Sequence, residues 1–555
     1  MFQQNILYTA FLGTSVVAGC IVRRARGDIK RFVCMALGLT SALVICGSEV
    51  WHALALMGGF VIFYSLVSFR FIHYAVFLWG FSYLIFFHTA HLYGFSKPSP
   101  LTKMFHLFTT LKVVGVSFEL HDTWSTINTL KSNKRNSYVL QETSNLMLKY
   151  KGILTTPYDV VSYVFCYIGM LTGPYYTYRT YNDMLNGWPP RAPGLSFRPL
   201  WRRLQEAPFF GVTYLICSQF VSSDSCKLWM RYLTPPLHTH FFTGTDLRDS
   251  EFQEGSLVSR LVYLGALFFV YRTRLYFAWI MGECVCMSAG LGAYPAISRP
   301  AVGEGPTDLV ALDRWMSQID PKEKAGIQHR NEDYHFLVDD INSDISDDDP
   351  VVIESRSHFY NYATVQAVSA WKCEFSPTMR ESFRAWNQTL YYWMDRYIYR
   401  RCFGPWFIRS VATLLVNSLW YGVQPVYFMA HLTLPLISMA EDGMATAMAF
   451  CGFSLPPGGL TFLRWFFRMR SLDYLAAGWI VLSLEDTCVL WSSLGYFVQV
   501  IGFLLAVVHL TLGKFVSAFE RWTVENPGED VAEITARNLS QTGKAWEPPV
   551  IDTYI

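Results

Sequence analysis

Apolar runs recur along this chain almost from end to end, and the polar stretches fall between them. A run of about twenty apolar residues is long enough to cross about 30 Å of hydrocarbon as a helix, in which every backbone group finds its partner within the segment. Runs occupy residues 6–22, 32–48, 51–68, 71–91, 104–120, 157–176, 208–222, 257–271, 274–292, 406–422, 426–440, 474–492 and 495–515. Several are too short for a full crossing. The pattern predicts an all-α, polytopic transmembrane helical bundle with about ten or eleven crossings, the shorter runs serving as re-entrant helices. With 52% of 555 residues hydrophobic and 16% charged, there is too little polar material to coat several soluble domains instead.

Charge is patterned locally rather than globally. A formal net charge of +2 supplies no field to draw nucleic acid, so none is expected as a partner. Arg23, Arg24, Arg26, Lys30 and Arg31 follow the first run, which predicts a cytosolic first loop and a first span that is kept. Four segments follow: N-terminal transmembrane helices over 1–292, a polar acid-rich loop insertion over 293–375, further helices over 376–515, and a polar tail over 516–555. The insertion's Asp344–Pro350 stretch lacks the glycine and closing glutamate of a calcium loop, and no C-x-x-C pair is present, so no metal is expected.

Ionisable and amide groups inside apolar runs are the informative residues, because each costs a few kcal/mol unless it meets a cavity or a partner. The first cluster is His106, Lys112, Glu119, His121 and Asp122; Lys112 and Glu119 share a helical face, and a structural ion-pair network is the plain reading. A second is Gly169–Tyr181, where Gly173-Pro174 breaks the helix and aromatics gather as an interfacial anchor would. In a third, Arg272, Arg274 and Glu283 lie between two apolar runs, and the arginines suit anionic groups; the adjacent Cys284 and Cys286 read as packing. Asn387 marks the fourth, in an aromatic-rich helix too polar to face lipid, with Asn417–Pro425 following.

These segments are recognisable together. Thr110-Leu-Lys-Val-Val, Cys166-Tyr-Ile-Gly-Met-Leu-Thr-Gly-Pro, Tyr178-Arg-Thr-Tyr, Phe277-Ala-Trp-Ile, Gly290-Leu-Gly-Ala-Tyr-Pro, Trp386-Asn-Gln-Thr, Tyr397-Ile-Tyr and Met469-Arg-Ser-Leu-Asp-Tyr run through nearly the whole chain. In them it resembles the membrane-bound O-acyltransferase family, most closely its lysophosphatidylinositol acyltransferase branch. The resemblance implies an intramembrane chamber and transfer of an acyl chain from acyl-CoA, a co-substrate rather than a cofactor, to the free sn-2 hydroxyl of a lysophospholipid. Lysophosphatidylinositol, polyunsaturated acyl chains, membrane lipids as surroundings and a multi-pass place in the endoplasmic reticulum membrane go with it. Asn387 would polarise or orient the reacting groups, with Arg272 and Arg274 toward anionic groups of coenzyme A or inositol phosphate.

The family pairs that asparagine with a histidine after a tryptophan about thirty-five residues on, and here Trp420 is followed by Tyr421. A phenol of ordinary pKa about 10 is a poor base for an alcohol, whereas an imidazole near 6.5 is a good one. Two readings of Tyr421 stay open: it occupies the base position of an acyltransferase helped by a neighbour, or the protein is a catalytically silent lipid-binding or scaffold member. Among possible stand-ins, His431 sits ten residues on, which along one continuous helix displaces it by about 15 Å and about 80°. That geometry predicts a poor substitute. His88, His91, His106, His238 and His240 are expected to be satisfied polar residues.

Overall fold

The computed structural model describes residues 2–25, 27–132, 156–186, 197–222, 256–318, 360–451 and 455–525. The centre of the acid-rich insertion, the tail beyond residue 525, and His238 and His240 lie outside the described residues. What is described is overwhelmingly α-helical, as expected. The strands are two residues each and form two antiparallel pairs, Tyr294–Pro295 with Tyr360–Asn361 and Pro300–Ala301 with Gly305–Pro306.

The expected ten or eleven crossings are not confirmed among the described residues. Among the described residues, three helical stretches are long and apolar enough to span a membrane: Gly27–Leu66, Ile72–Tyr93 and Arg260–Ala289. A fourth is counted if Leu484–Ser493 and Phe497–Gly513, bent by 70° at their junction, act as one span. The reason is visible in Pro100–Ser132, a helix of 33 residues that carries His106, Lys112, Glu119, His121 and Asp122 and buries the first three of them. Length alone does not make such a helix a lipid-facing span.

The chain divides into two compact units. The first comprises 1–213, 273–369 and 386–397; the second comprises 214–272, 370–385 and 398–555. In the first, Pro100–Ser132 runs beside the irregular segment 165–177, which is buried throughout. That segment is therefore core rather than the interfacial anchor its aromatics suggest. Its backbone approaches the helix Leu257–Ala289 so closely that a Cβ on Gly282 would stand 2.6 Å from the Gly173 carbonyl oxygen. Glycine is the residue that permits this contact.

Lys112 and Glu119 hold the same segment. Lys112 Nζ donates to the carbonyls of Tyr163 (3.5 Å) and Ile168 (3.2 Å) and to the Tyr176 hydroxyl (3.0 Å), rather than to Glu119. The Glu119 carboxylate accepts from the backbone N–H groups of Tyr178 and Arg179 at 2.9 and 3.2 Å, capping the helix Tyr178–Asn186 where the helix dipole favours an anion. Lys112 and Glu119 thus act as two charged posts for backbone groups that have left regular structure, while Asp122 of the same cluster forms an ion pair with Arg396 at 3.8 Å.

The second unit is built around Tyr263, Leu264, Ala430, Leu434, Ile437, Tyr474, Leu475, Leu490, Trp491 and Val498. Its helices Pro425–Phe450 and Phe497–Glu525 approach closely enough that a side chain at Gly443 would strike the Leu505 backbone.

Candidate functional site

Asn387 belongs to the first unit and opens the helix Gln388–Tyr397. Its carbonyl accepts the first helical bonds, from Leu390 and Tyr391 N–H at 3.0 Å each. Its own backbone is left-handed, with φ +40°. Asparagine tolerates that region better than most residues, yet the conformation still costs on the order of 1 kcal/mol, so surrounding structure must impose it.

The imposing structure can be traced. Gln388 N–H donates to the Ala367 carbonyl at 2.7 Å. The N–H groups of Ala367 and Val368 in turn donate to the buried Glu283 carboxylate at 2.7 and 3.0 Å. Arg203 grips Glu283 through Nε at 2.6 Å and Nη2 at 2.9 Å, and also donates to the Val368 carbonyl at 2.7 Å. Glu283, expected among anion-binding arginines, is thus part of the scaffold that sets the backbone beside Asn387. On the other side Trp386 lies edge-on to Trp279 and Tyr276, with centroids 5.0 and 5.7 Å apart.

All this fixes the backbone of Asn387 and leaves its side chain uncommitted. The residue is 5% exposed, and its amide makes no hydrogen bond among the described residues. The amide is not sealed in the core, so a partner from outside the protein can reach it.

Tyr421 belongs to the second unit, where it ends the helix Trp406–Tyr421. The chain turns through Gly422-Val-Gln and starts again at Pro425, where proline suits a first helical position. A Cβ on Gly422 would lie 2.6 Å from the Gln424 side-chain oxygen and 2.9 Å from the Tyr427 ring, so the turn is fitted to glycine. The two helices fold back on each other. His431 therefore returns to Tyr421, with ring centroids 5.4 Å apart. This corrects the single-helix geometry that made His431 a poor substitute, and the Gly422-x-x-Pro425 pattern, a helix stop followed by a helix start, carried the signal. His431 Nδ1 lies 2.9 Å from Ser418 Oγ, Trp479 stands 5.6 Å from its ring, and the side chain is buried.

The arginines separate. Arg272, in the second unit, makes a bidentate pair with Glu374 at 2.8 and 3.1 Å, reaches Asp473 at 3.4 Å, and stacks over Phe268. Two carboxylates already neutralise it, so the expected role toward phosphate is not what this geometry assigns. Asp473 also pairs with Arg470 at 2.7 Å, which accounts structurally for much of the Met469–Tyr474 motif. Arg274 is in the first unit and exposed.

Of the histidines, His91 is exposed, which leaves it open to solvent, and His106 departs from expectation. His106 is buried against Phe87 at 4.2 Å, and neither ring nitrogen has a hydrogen-bond partner among the described residues, so it is not the satisfied residue its position suggested.

Helices with a scaffolded, uncommitted amide fit the family proposed by the motifs, and comparison with known proteins establishes it. The profile of the membrane-bound O-acyltransferase family matches residues 87–469, and the chain belongs to that family. It is similar to the membrane-bound acylglycerophosphatidylinositol O-acyltransferase MBOAT7 of Bos taurus, with 30% identity over 508 residues, covering 90% of this chain and 92% of the relative. The Homo sapiens protein of that name is 29% identical over 520 residues, covering 92% and 95%. The Drosophila melanogaster acylglycerophosphatidylinositol O-acyltransferase frj is 26% identical over 523 residues, covering 93% and 94%.

Proposed function

We propose that this protein is an acyl-CoA-dependent lysophosphatidylinositol acyltransferase of the endoplasmic reticulum membrane that esterifies the free sn-2 hydroxyl with polyunsaturated chains. The observation that carries the reading is Asn387: buried, held left-handed by a traced set of bonds, and with an amide that the fold does not use. Such an amide can donate to the thioester carbonyl oxygen as negative charge grows there, a contribution of about 2.7–4 kcal/mol when one donor of this kind is lost. Trp386 walls the same place. The names of the relatives, each an acylglycerophosphatidylinositol acyltransferase, support the acceptor headgroup.

Tyr421 stands at the second position of the family pattern, and Arg274, which is exposed, is the arginine this reading assigns to coenzyme A. Acyl-CoA enters as a substrate, and no metal or prosthetic group is needed for this chemistry. The test is purified full-length protein in vesicles, given labelled arachidonoyl-CoA or palmitoyl-CoA with lysophosphatidylinositol, lysophosphatidylcholine or lysophosphatidylserine. The reading expects the highest kcat/KM for the arachidonoyl and inositol pair. Product with every headgroup at equal rate removes the inositol assignment, and lysolipid binding without product favours the silent lipid-binding alternative.

A further inference from the structure

Acyl transfer needs a group that takes the proton of the attacking hydroxyl, and the phenol at 421 is suited to donating one. Its neighbourhood contains a better candidate. Ser418 Oγ lies 2.7 Å from the Leu414 carbonyl, one turn back on its own helix, and 3.4 Å from the Tyr427 carbonyl, so a backbone carbonyl takes the serine's single hydrogen. The Ser418 oxygen then accepts from His431 Nδ1–H at 2.9 Å. A neutral imidazole protonated at Nδ1 carries its lone pair on Nε2, and the serine fixes both tautomer and ring orientation. This is the arrangement of an oriented base, with a third group holding the imidazole in place.

We propose that His431, delivered to Tyr421 by the hairpin at Gly422–Gln424, is the general base of this protein, and that Ser418 is its positioning residue. The inference rests on the acyl-transfer reading above and deepens it. The sn-2 hydroxyl oxygen attacks the thioester carbonyl carbon, and its proton passes to His431 Nε2. A new C–O bond forms, the C–S bond breaks, and the proton moves on to the departing sulfur, so that ester and free coenzyme A thiol are the products. Tyr421 stands beside this base, with ring centroids 5.4 Å apart.

The experiment uses full-length protein with lysophosphatidylinositol and labelled arachidonoyl-CoA. His431→Phe is expected to lower kcat by roughly a hundred- to ten-thousand-fold with the lysolipid KM little changed. Two rescues separate a lost base from a damaged fold. Adding Tyr421→His to the His431→Phe protein moves the imidazole to the other helix of the hairpin and should recover at least about tenfold of the lost rate. Free imidazole should restore His431→Ala in proportion to its concentration. Ser418→Ala should lower kcat by about tenfold, since it loosens the ring without removing it. Wild-type kcat in His431→Phe overturns the proposal. So does failure of both rescues, which makes His431 structural. Absence of product from the wild type overturns the acyl-transfer reading itself, and the base assignment falls with it.

Discussion

Arg272 and Asn387 are both buried polar side chains in segments that carry the family resemblance, and the molecule uses them in opposite ways. Every charged face of Arg272 is engaged: Glu374 takes one edge of the guanidinium in bidentate fashion, Asp473 takes another, and Phe268 covers its plane. At Asn387 the backbone is engaged and the side chain is not. A polar group whose bonds are complete within the protein has been assigned to holding the fold. One that is largely buried, pre-oriented and unbonded is, on the proposed reading, kept for a ligand. The same contrast separates Lys112, bonded to three oxygens of the 163–176 segment, from the bare ring nitrogens of His106.

The contrast is open to attack by substitution, most strongly at Arg272. Arg272→Ala takes the bidentate guanidinium from Glu374 and leaves Asp473 with Arg470, and breaking a buried pair in this way typically costs about 3–5 kcal/mol. Chemical denaturation in detergent should show that loss, with acyl-CoA KM unchanged in the protein that remains folded. A large KM effect with intact stability would instead make Arg272 a ligand-binding residue.

Asn387→Gly tests the opposite prediction. Glycine accepts φ +40° without strain, so folding should be preserved while kcat falls by roughly a hundred- to a thousandfold. Next in size is Glu283→Gln, which weakens the grip of Arg203 and the acceptor for the Ala367 and Val368 N–H groups. Loss of charge at those bonds should cost about 1.5–3 kcal/mol of stability and also lower kcat, because the backbone next to Asn387 is no longer fixed. If only stability moves, the traced bonds do not reach the chemistry. The smallest effect is expected at Arg274→Ala: stability within about 0.5 kcal/mol, as for other exposed sites, and a severalfold rise in acyl-CoA KM.

Much of this was legible in the chain. Helical membrane architecture followed from the spacing of apolar runs, and the resemblance located Asn387 and Tyr421 by their tryptophans. Partners were harder. Lys112 and Glu119 do share a helical face, but both turn to backbone about fifty residues or more further along the chain, and helix periodicity has nothing to say about that. Arg272 is neutralised by residues 102 and 201 positions away. The left-handed backbone of Asn387 is imposed by Ala367 and Glu283 and leaves no local trace. His431 is the instructive case, because its return to Tyr421 depends on a turn that Gly422 and Pro425 did announce.

The most direct test of the account is the initial rate at which purified wild-type protein and Asn387→Gly, matched for folded fraction, transfer labelled arachidonate from its CoA thioester to lysophosphatidylinositol. The account predicts steady formation of phosphatidylinositol by the wild type and near loss of it in the variant. Equal rates in the two proteins, or no product from either, would contradict it.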